Sequence, residues 1–332
     1  EKYQLFLRPR RFGKSMLLSM LENYYDVAAK DQFETLFGHL KIGKNPTRLQ
    51  SFYFILKWDF SCIDASGALE DIRQSIYDHI NDSICAFIMK YRKYDLPEIK
   101  INADNALSSL KSLISAVQMT KRPVFLLIDE YDNFANEVMM SVDRSVDHYE
   151  ALVKKEGILK TVFKNIKALA SSSMFDRIFI TGVSPVVLSD MTSGFNIAEN
   201  VYLEPEYNDL CGFTEAEIHD IVEKMRSEIS LIPCDYARDY SRDYTTESSN
   251  EHTCPSVEEI VDIMRLYYDG YTFTRKGTIR VYNPTLALFF LKRFQKERQF
   301  PEEMLDDNLA MDPSKLLYIS GISGGNQLII DL

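Results

Sequence analysis

The sequence LFLRPRRFGKSMLLSML, residues Leu5 to Leu21, indicates how the first part of this chain folds. An apolar run at Tyr3–Leu7 comes first, and the loop that follows it ends in Gly13-Lys14-Ser15. Apolar residues then recur at helical spacing, at Met16, Leu17, Met20 and Leu21. This order predicts a strand, a loop and a helix.

A loop of this kind, placed before a helix, is suited to bind phosphate, because backbone N–H groups and the helix dipole can surround an anion. In the pattern G-x-x-x-x-G-K-[ST], the lysine reaches the β- and γ-phosphates and the hydroxyl binds Mg²⁺. The pattern would place glycine where Arg8 stands, so a basic turn without a ligand remains an alternative for this stretch alone. The predicted nucleotide-binding residues are Arg8, Pro9, Arg10, Arg11, Phe12, Gly13, Lys14, Ser15 and Met16.

A second stretch, KRPVFLLIDEYD at Lys121–Asp132, supports the nucleotide hypothesis. Its continuous apolar run is typical of a parallel strand that is buried on both faces. Ligands of open α/β sheets bind beyond the carboxyl ends of the strands, so the two acids that follow should lie near the loop. We predict that Asp129 binds Mg²⁺ together with Ser15, and that Glu130 activates a water for attack on the γ-phosphate. The alternative is that these acids only cap the next turn.

A third stretch, DRIFITGVSP at Asp176–Pro185, predicts another strand with polar residues at its end. In nucleotide hydrolases that place a glutamate beside the Mg²⁺ aspartate, a strand between the two motif strands presents a polar group to the γ-phosphate. Thr181 is our candidate for that group and Ser184 the reserve, although a hydroxyl that satisfies a turn is an equal alternative. The predicted catalytic residues are therefore Glu130, Lys14 and Thr181.

The remaining patterns complete an α/β domain. Ser51–Phe60 predicts a strand, and its Asp59 either approaches the nucleotide edge or, more commonly, caps the following turn. The triplet Val201-Tyr202-Leu203 predicts a short fifth strand, and Tyr131–Glu150 a mobile segment over the nucleotide edge. Amphipathic helices are predicted at Leu69–Arg92, Ala103–Met119 and Lys155–Ser171.

The composition changes after Glu204, which indicates a second, mostly helical part. Thr214 and Glu217 form a capping-box pattern at the start of a helix. The stretch Pro233–Pro255 predicts an exposed or disordered insertion. Further helices are predicted at Ser256–Tyr267 and from Asn283 to Phe294, with the Tyr and Phe residues as the core of this part. The tail at 313–332 contains the flexible sequence SGISGG.

The overall composition excludes several classes of protein. Of 332 residues, 45% are hydrophobic and 26% charged, as in ordinary globular chains. The net charge of −11 argues against a surface that binds nucleic acid non-specifically, and leaves only a local basic patch or a partner for that role. No apolar stretch is long enough to cross a membrane, and nothing at the start resembles a signal peptide. Five cysteines without C-x-x-C spacing predict reduced, mostly buried thiols, so we expect a cytoplasmic protein.

Taken together, the motifs resemble those of the bacterial AAA-ATPase-like proteins, in which a P-loop domain usually precedes a nuclease-like domain of the PD-(D/E)XK type. The resemblance rests on RPRRFGKSMLLSML, FLLIDEYDN, ITGVSP, LCGFTEAEI, YYDGYTF and VYNP, in the order of that family. It implies an ATP-binding domain with a helical lid, and it carries Lys14, Ser15, Asp129 and Glu130 over as Walker-type residues. An arginine at position 8 is normal in that family.

We therefore expect an α/β P-loop NTPase, a three-layer parallel sheet with helices on both faces, followed by a smaller helical lid. The expected boundaries are 1–205 for the ATPase domain, 206–312 for the lid and 313–332 for a linker. Glu1 lies so near the loop that we expect the sequence to begin inside the domain. No PD…(D/E)-x-K pattern is present, so we expect the nuclease-like domain either to be absent or to lie beyond residue 332.

The expected activity is Mg²⁺-dependent hydrolysis of ATP, coupled to a rearrangement of the lid or of a partner. The alternative is a nucleotide-gated interaction module that turns over slowly. An arginine finger is not identified, and Arg144, Arg177 and Arg265 are the candidates. A finger supplied by a second copy would make the protein a homo-oligomer.

Overall fold

The protein is described by a computed structural model. It describes residues 2–64, 67–120, 122–133, 157–171, 175–185, 187, 195–230, 255–275 and 279–305. These residues form two compact units, one from the ranges 2–10 and 14–202 and the other from the ranges 11–13 and 203–305. Arg144, the interior of the predicted insertion, the tail at 313–332 and nearly all of the segment predicted to be mobile lie outside the described residues.

The first unit contains a five-stranded sheet in the order β2-β3-β4-β1-β5. Every neighbouring pair of strands is parallel, which confirms the predicted parallel α/β sheet. The strand β3 is buried along its whole length because both faces of the sheet are covered. The strand β4 lies between β3 and β1, as expected. The strands are β1 (Tyr3–Leu7), β2 (Phe54–Asp59), β3 (Val124–Asp129), β4 (Phe175–Gly182) and β5 (Glu199–Asn200).

Helices cover both faces of this sheet, and alternate side chains of each strand point to opposite faces. On one face, Leu126 and Ile128 of β3 belong to a large apolar core shared with α4, α5 and α6. On the other face, the ring of Phe125 packs 5.6 Å from the ring of Tyr25 in α1. The helices of the first unit are α1 (Lys14–Tyr25), α2 (Phe33–Phe37), α3 (Lys41–Lys44), α4 (Leu69–Tyr91), α5 (Ala106–Gln118) and α6 (Ile158–Ser171).

One predicted strand is wrong. Val201–Leu203 forms a 3₁₀ helix, and the fifth strand is the exposed pair Glu199–Asn200 just before it. Three apolar residues are too few for a period of two to be distinguished from a turn. The side chain of Val201 reaches the core from the 3₁₀ turn, while that of Leu203 remains half exposed.

A buried carboxylate lies at the edge of the sheet where the strands begin, away from their carboxyl ends. Asp26 follows α1 and forms a bridge with Tyr53, just before β2. Its carboxylate accepts hydrogen bonds from the amide of Ala28 (2.7 Å) and the hydroxyl of Tyr91 (2.9 Å), and it pairs with the ammonium of Lys90 (2.7 Å). This cluster joins α1, β2 and α4.

The second unit has its own apolar core, formed mainly by helices. Thr214 and Glu217 exchange the hydrogen bonds of a capping box at the start of the first helix, as predicted. Aromatic side chains of the later helices fill the core, which agrees with the role predicted for them. The elements are β6 (Phe213–Thr214), α7 (Glu215–Ser230), α8 (Val257–Tyr268), β7 (Val281–Tyr282) and α9 (Pro284–Glu297), with β6 and β7 antiparallel.

The three cysteines among the described residues differ in exposure. Cys211 is buried, Cys85 is partly buried and Cys62 is exposed. Cys62, which lies at the end of a 3₁₀ helix, is thus an exception to the expected burial, and Cys234 and Cys254 lie outside the described residues.

Candidate functional site

The end of β1 is held by Arg8, whose side chain is only 1% exposed. Its guanidinium donates to the carbonyl oxygens of Leu7 (2.8 Å) and Tyr202 (3.2 Å) and lies 4.3 Å from the centre of the Phe6 ring. The amide of Arg8 donates to the carbonyl of Gly182 at the end of β4 (3.2 Å). A glycine is not needed at position 8 because the long side chain is accommodated inside the unit. The nucleotide-binding role of Arg8 stays a prediction, and in the structure its guanidinium is held by these two carbonyl groups.

Lys14 begins α1 and is buried, with 4% of its surface exposed. Its ammonium donates to the carbonyl of Pro9 (3.1 Å), so the two ends of the loop are held together. The first N–H groups of an α-helix have no partner within the helix, so the start of α1 presents donors of the kind that can bind an anion. Ser15 and Met16, which follow, have exposed side chains. Arg10 is exposed and reaches the side-chain oxygen of Asn133 (3.4 Å).

Residues 11–13 of the loop belong to the second unit. The ring of Phe12 is buried there against Tyr271 (4.8 Å between centroids) and Phe273 (5.4 Å). Gly13 has a φ of +83°, a conformation that side-chain-bearing residues rarely adopt, and no atom lies within 4 Å of the position that its Cβ would take. The side chain of Phe12, which we predicted to bind nucleotide, therefore contributes to an aromatic cluster.

The acids predicted from the second motif lie at the end of β3. Asp129 is 2% exposed, and the hydroxyl of the fully buried Thr181 donates to its carboxylate. Because β1, β3 and β4 run parallel, Asp129 and Thr181 lie at the same edge of the sheet as the start of the loop. Thr181 therefore orients the carboxylate of Asp129, and this use of its hydroxyl differs from the phosphate contact that we predicted.

Glu130 follows in a left-handed conformation with a φ of +46°. Burial raises the pKa of its carboxyl; the charge of Lys14 opposes this rise, that of Asp129 reinforces it, that of Arg10 opposes it and that of Asp59 reinforces it. The charges that act on Glu130 thus come from the loop, from β3 and from the end of β2. The residues that carry these charges are far apart in the sequence, and the fold places them close enough to act on Glu130.

The raised pKa of Glu130 predicts a change in stability with pH. A carboxyl whose pKa is raised by folding stabilises the folded state below its ordinary pKa of 4.5, and this contribution is lost as the pH rises through the folded value. We expect the parent chain to lose thermal stability relative to Glu130→Gln over this range. Thermal unfolding of both chains at a series of pH values is the measurement, and a difference that does not vary with pH would contradict it.

Asp132 and Tyr131 are functional candidates that the sequence did not reveal. The buried carboxylate of Asp132 accepts hydrogen bonds from the amides of Val183 (3.2 Å) and Ser184 (2.7 Å), and the hydroxyl of Tyr131 donates to the carbonyl of Ser184. Ser184, the reserve candidate, is thus held through its backbone. An acid three residues after Asp129 was the available signal, but its partners lie about fifty positions away.

A family model for predicted AAA-ATPases matches residues 1–192, a range that contains the loop, both acids and the strand between them. The chain belongs to this predicted AAA-ATPase family. No curated protein and no solved structure was found to match it. Membership of the family supports nucleotide binding and ATPase activity. In the part of the chain that the structure describes, every helix is too short or too polar to span a membrane.

Each of the other charged candidates that the structure describes has a partner within its own unit. Arg177 is near the start of β4 and donates to the hydroxyl of Tyr53 (3.0 Å). Arg265 pairs with Glu215 in the second unit (2.8 Å). Asp59 accepts hydrogen bonds from the amide of Ser61 (3.0 Å) and from its hydroxyl (2.6 Å), which is the capping role that we considered more common.

Proposed function

We propose that the first unit is a P-loop domain that binds ATP with Mg²⁺ and hydrolyses it. The observation that carries this proposal is the arrangement at the carboxyl edge of the sheet, where Asp129 accepts a hydrogen bond from Thr181 on the strand next to the loop. Family membership supports the nucleotide, and the position of the loop and acids agrees with the edge at which α/β sheets bind ligands.

The residues at this edge fit a nucleotide with its metal ion. Lys14 brings a buried ammonium to the start of α1, and the space beside Gly13 leaves the backbone accessible. Ser15 and Asp129 supply a hydroxyl and a carboxylate, which are the oxygen ligands that Mg²⁺ prefers. The ion, when bound, neutralises charge on the phosphate oxygens. In this proposal Arg10 and the first amides of α1 add further donors for the phosphates.

Glu130 is the residue that we assign to hydrolysis. A carboxylate at the end of β3, one position beyond the metal ligand, can orient a water and take its proton. Its raised pKa supports this role, because a base works best when its pKa approaches the working pH. Thr181 fixes the neighbouring carboxylate of Asp129 and leaves Glu130 to act on the water.

We further propose that the second unit acts as a helical lid in a cytoplasmic ATPase with the boundaries 1–205, 206–312 and 313–332. This unit has an apolar core of its own, which supports the proposal that it keeps its structure when it moves. Residues 11–13 of the loop group with this unit, which supports a coupling between phosphate binding and the lid. A second copy of the chain or a linked nuclease-like domain beyond residue 332 would be the partner.

A slow nucleotide switch is the second candidate, and one observation favours it. Of the three arginines considered as fingers, the two that the structure describes are both bonded to groups in their own unit. Phosphate release measured over a range of protein concentrations separates the two functions. An activity per chain that rises with concentration supports an ATPase whose finger comes from a second copy, while a very slow rate at every concentration supports the switch.

Lys14→Ala tests the phosphate site directly. Loss of a charge-assisted contact to phosphate costs about 1.5–3 kcal/mol, so we expect binding of Mg·ATP to weaken by roughly ten- to a hundredfold. Titration with a fluorescent ATP analogue measures the affinity, and Lys111→Ala, which removes an exposed lysine of α5, is the matched control. Unchanged affinity in a folded Lys14→Ala chain would exclude this loop as the phosphate site.

A further inference from the structure

The backbone of Glu130 adopts a conformation that its side chain disfavours. Its φ of +46° lies in the left-handed region, where a Cβ crowds the following carbonyl oxygen. Such a residue persists only where the surrounding structure determines its position from several directions. The groups that hold Glu130 can be identified from the hydrogen bonds around it.

Each peptide group next to Glu130 has a defined partner. Its own amide donates to the carboxylate of Asp129 (3.0 Å), and its carbonyl accepts from the amide of Asn133 (2.9 Å). The next amide, that of Tyr131, donates to the carbonyl of Thr181 (3.1 Å). The turn that follows β3 is therefore attached to the end of β4.

Asp132 and Tyr131 complete this attachment from the other side. The two carboxylate oxygens of Asp132, which is 1% exposed, accept from the amides of Val183 and Ser184, at 2.7 Å for the shortest contact. A Cβ added at Gly182 would lie only 2.5 Å from the Tyr131 ring and 2.6 Å from the Asp132 carboxylate. The two segments are thus in close contact, and a shift of one requires a shift of the other.

We propose that Asp132, with Tyr131, is a positioning residue that fixes the end of β4 against the turn after β3 and thereby holds Glu130 where it can act on the attacking water. This inference rests on the proposed function, since it assigns a cause to the placement of the proposed base. It adds a role for a buried carboxylate that is not among the residues proposed to bind phosphate or metal.

Asp132→Asn is the first variant for the test. It keeps the shape of the side chain but replaces one of the two carboxylate oxygens by an NH₂ group, which cannot accept a hydrogen bond from the amides of Val183 and Ser184. The hydrogen bonds to the remaining oxygen also lose the strength that the negative charge gives them. We expect kcat for ATP to fall about 10- to 100-fold, the size expected when a reacting group is misplaced by about 1 Å, while the KM for ATP and the affinity for a non-hydrolysable ATP analogue stay within about threefold.

Asp26→Asn is the matched control, because it alters an equally buried carboxylate that binds a backbone amide at the opposite edge of the sheet. We expect it to lower the unfolding temperature without lowering kcat below that of the parent at a temperature where both are folded. An equal loss of kcat in both variants would overturn the proposal and show a general effect of stability.

A double-mutant comparison shows whether Asp132 acts through Glu130. In a Glu130→Gln background the base is already absent, so we expect Asp132→Asn to change the single-turnover rate by less than about threefold. In the parent the same substitution is expected to lower the rate much more. Additive losses would overturn the proposal. An active parent with an unaffected Asp132→Asn overturns only this inference, while a parent that binds ATP without hydrolysing it overturns the proposed function as well.

Tyr131→Phe provides a milder variant if Asp132→Asn does not fold. It removes only the hydrogen bond to the carbonyl of Ser184 and keeps the ring that packs beside Gly182. We expect a smaller fall in kcat, about three- to tenfold, with unchanged ATP affinity. A kcat equal to that of the parent would overturn the part assigned to Tyr131, and a lower affinity with normal kcat would overturn the proposal as a whole.

Discussion

Glu130→Gln should abolish most ATP hydrolysis and leave ATP binding intact. Glutamine keeps the size and much of the hydrogen bonding of the side chain but cannot take a proton from water. General-base assistance contributes roughly 10²–10⁴-fold to a rate, and we expect a loss of that size. The groups proposed to bind phosphate and metal, which are Lys14, Ser15, Asp129 and the amides of α1, are unchanged by the substitution.

Affinity should stay the same or increase in this variant, because a negative charge near the triphosphate is removed. Single-turnover hydrolysis with excess protein measures the chemical step, and titration with a non-hydrolysable analogue measures binding. We also expect the variant to hold the lid and any partner contacts in the arrangement of the ATP-bound state.

Asp59→Asn is the control for the loss of charge alone. The charge of Asp59 acts on Glu130, and its carboxylate caps the turn at Ser61. The Asp59→Asn substitution therefore removes a nearby charge without removing the proposed base. Hydrolysis should change by only a few-fold. If Glu130→Gln also remained within a few-fold of the parent, Glu130 would lose its catalytic assignment and the slow switch would be favoured.

Asp26→Ala should produce the largest loss of stability of the variants considered. The substitution removes a carboxylate that is 1% exposed, which deprives the amide of Ala28 of its acceptor and leaves the hydroxyl of Tyr91 with only the longer contact to the carbonyl of Ile55 (3.5 Å). Burial alone would lower the pKa of Lys90, but hydrogen bonds to Asp26 and Glu22 raise it, so the ammonium is charged and depends on these acids. The Lys90 side chain is 37% exposed and keeps its ion pair with Glu22, so the loss comes mainly from the hydrogen bonds of the buried carboxylate, and we expect about 1–3 kcal/mol.

Denaturant unfolding followed by tryptophan fluorescence measures this loss of stability in the first unit. Trp58 is the chain's one tryptophan and lies fully buried in β2. Glu70→Ala is the control, since its ion pair with Arg73 is exposed and such pairs contribute at most about 1 kcal/mol. A loss in Asp26→Ala no larger than that of Glu70→Ala would show that the buried cluster does not stabilise the unit.

The sequence by itself determined the elements whose signals are local. Apolar runs such as Val124–Ile128 predicted buried parallel strands, and helical spacing at Leu69–Arg92 predicted a helix that the structure places at Leu69–Tyr91. The apolar strands before the motifs also predicted a parallel sheet, and the analogy with nucleotide hydrolases that carry these motifs placed β4 between the two motif strands, which the strand order confirms. These features depend on neighbouring residues and on general rules for connecting strands.

Only the tertiary structure decided what individual polar side chains contact. Arg8 bonds to Tyr202, Thr181 to Asp129 and Asp132 to the amides after β4, and each pair is separated by about fifty residues or more. Sequence periodicity carries no information about such pairs, because a buried polar group is satisfied by whatever donor or acceptor the folded chain brings to it. The triplet Val201–Leu203 was assigned wrongly for a related reason, since the structure of a short apolar segment depends on its packing against the rest of the unit.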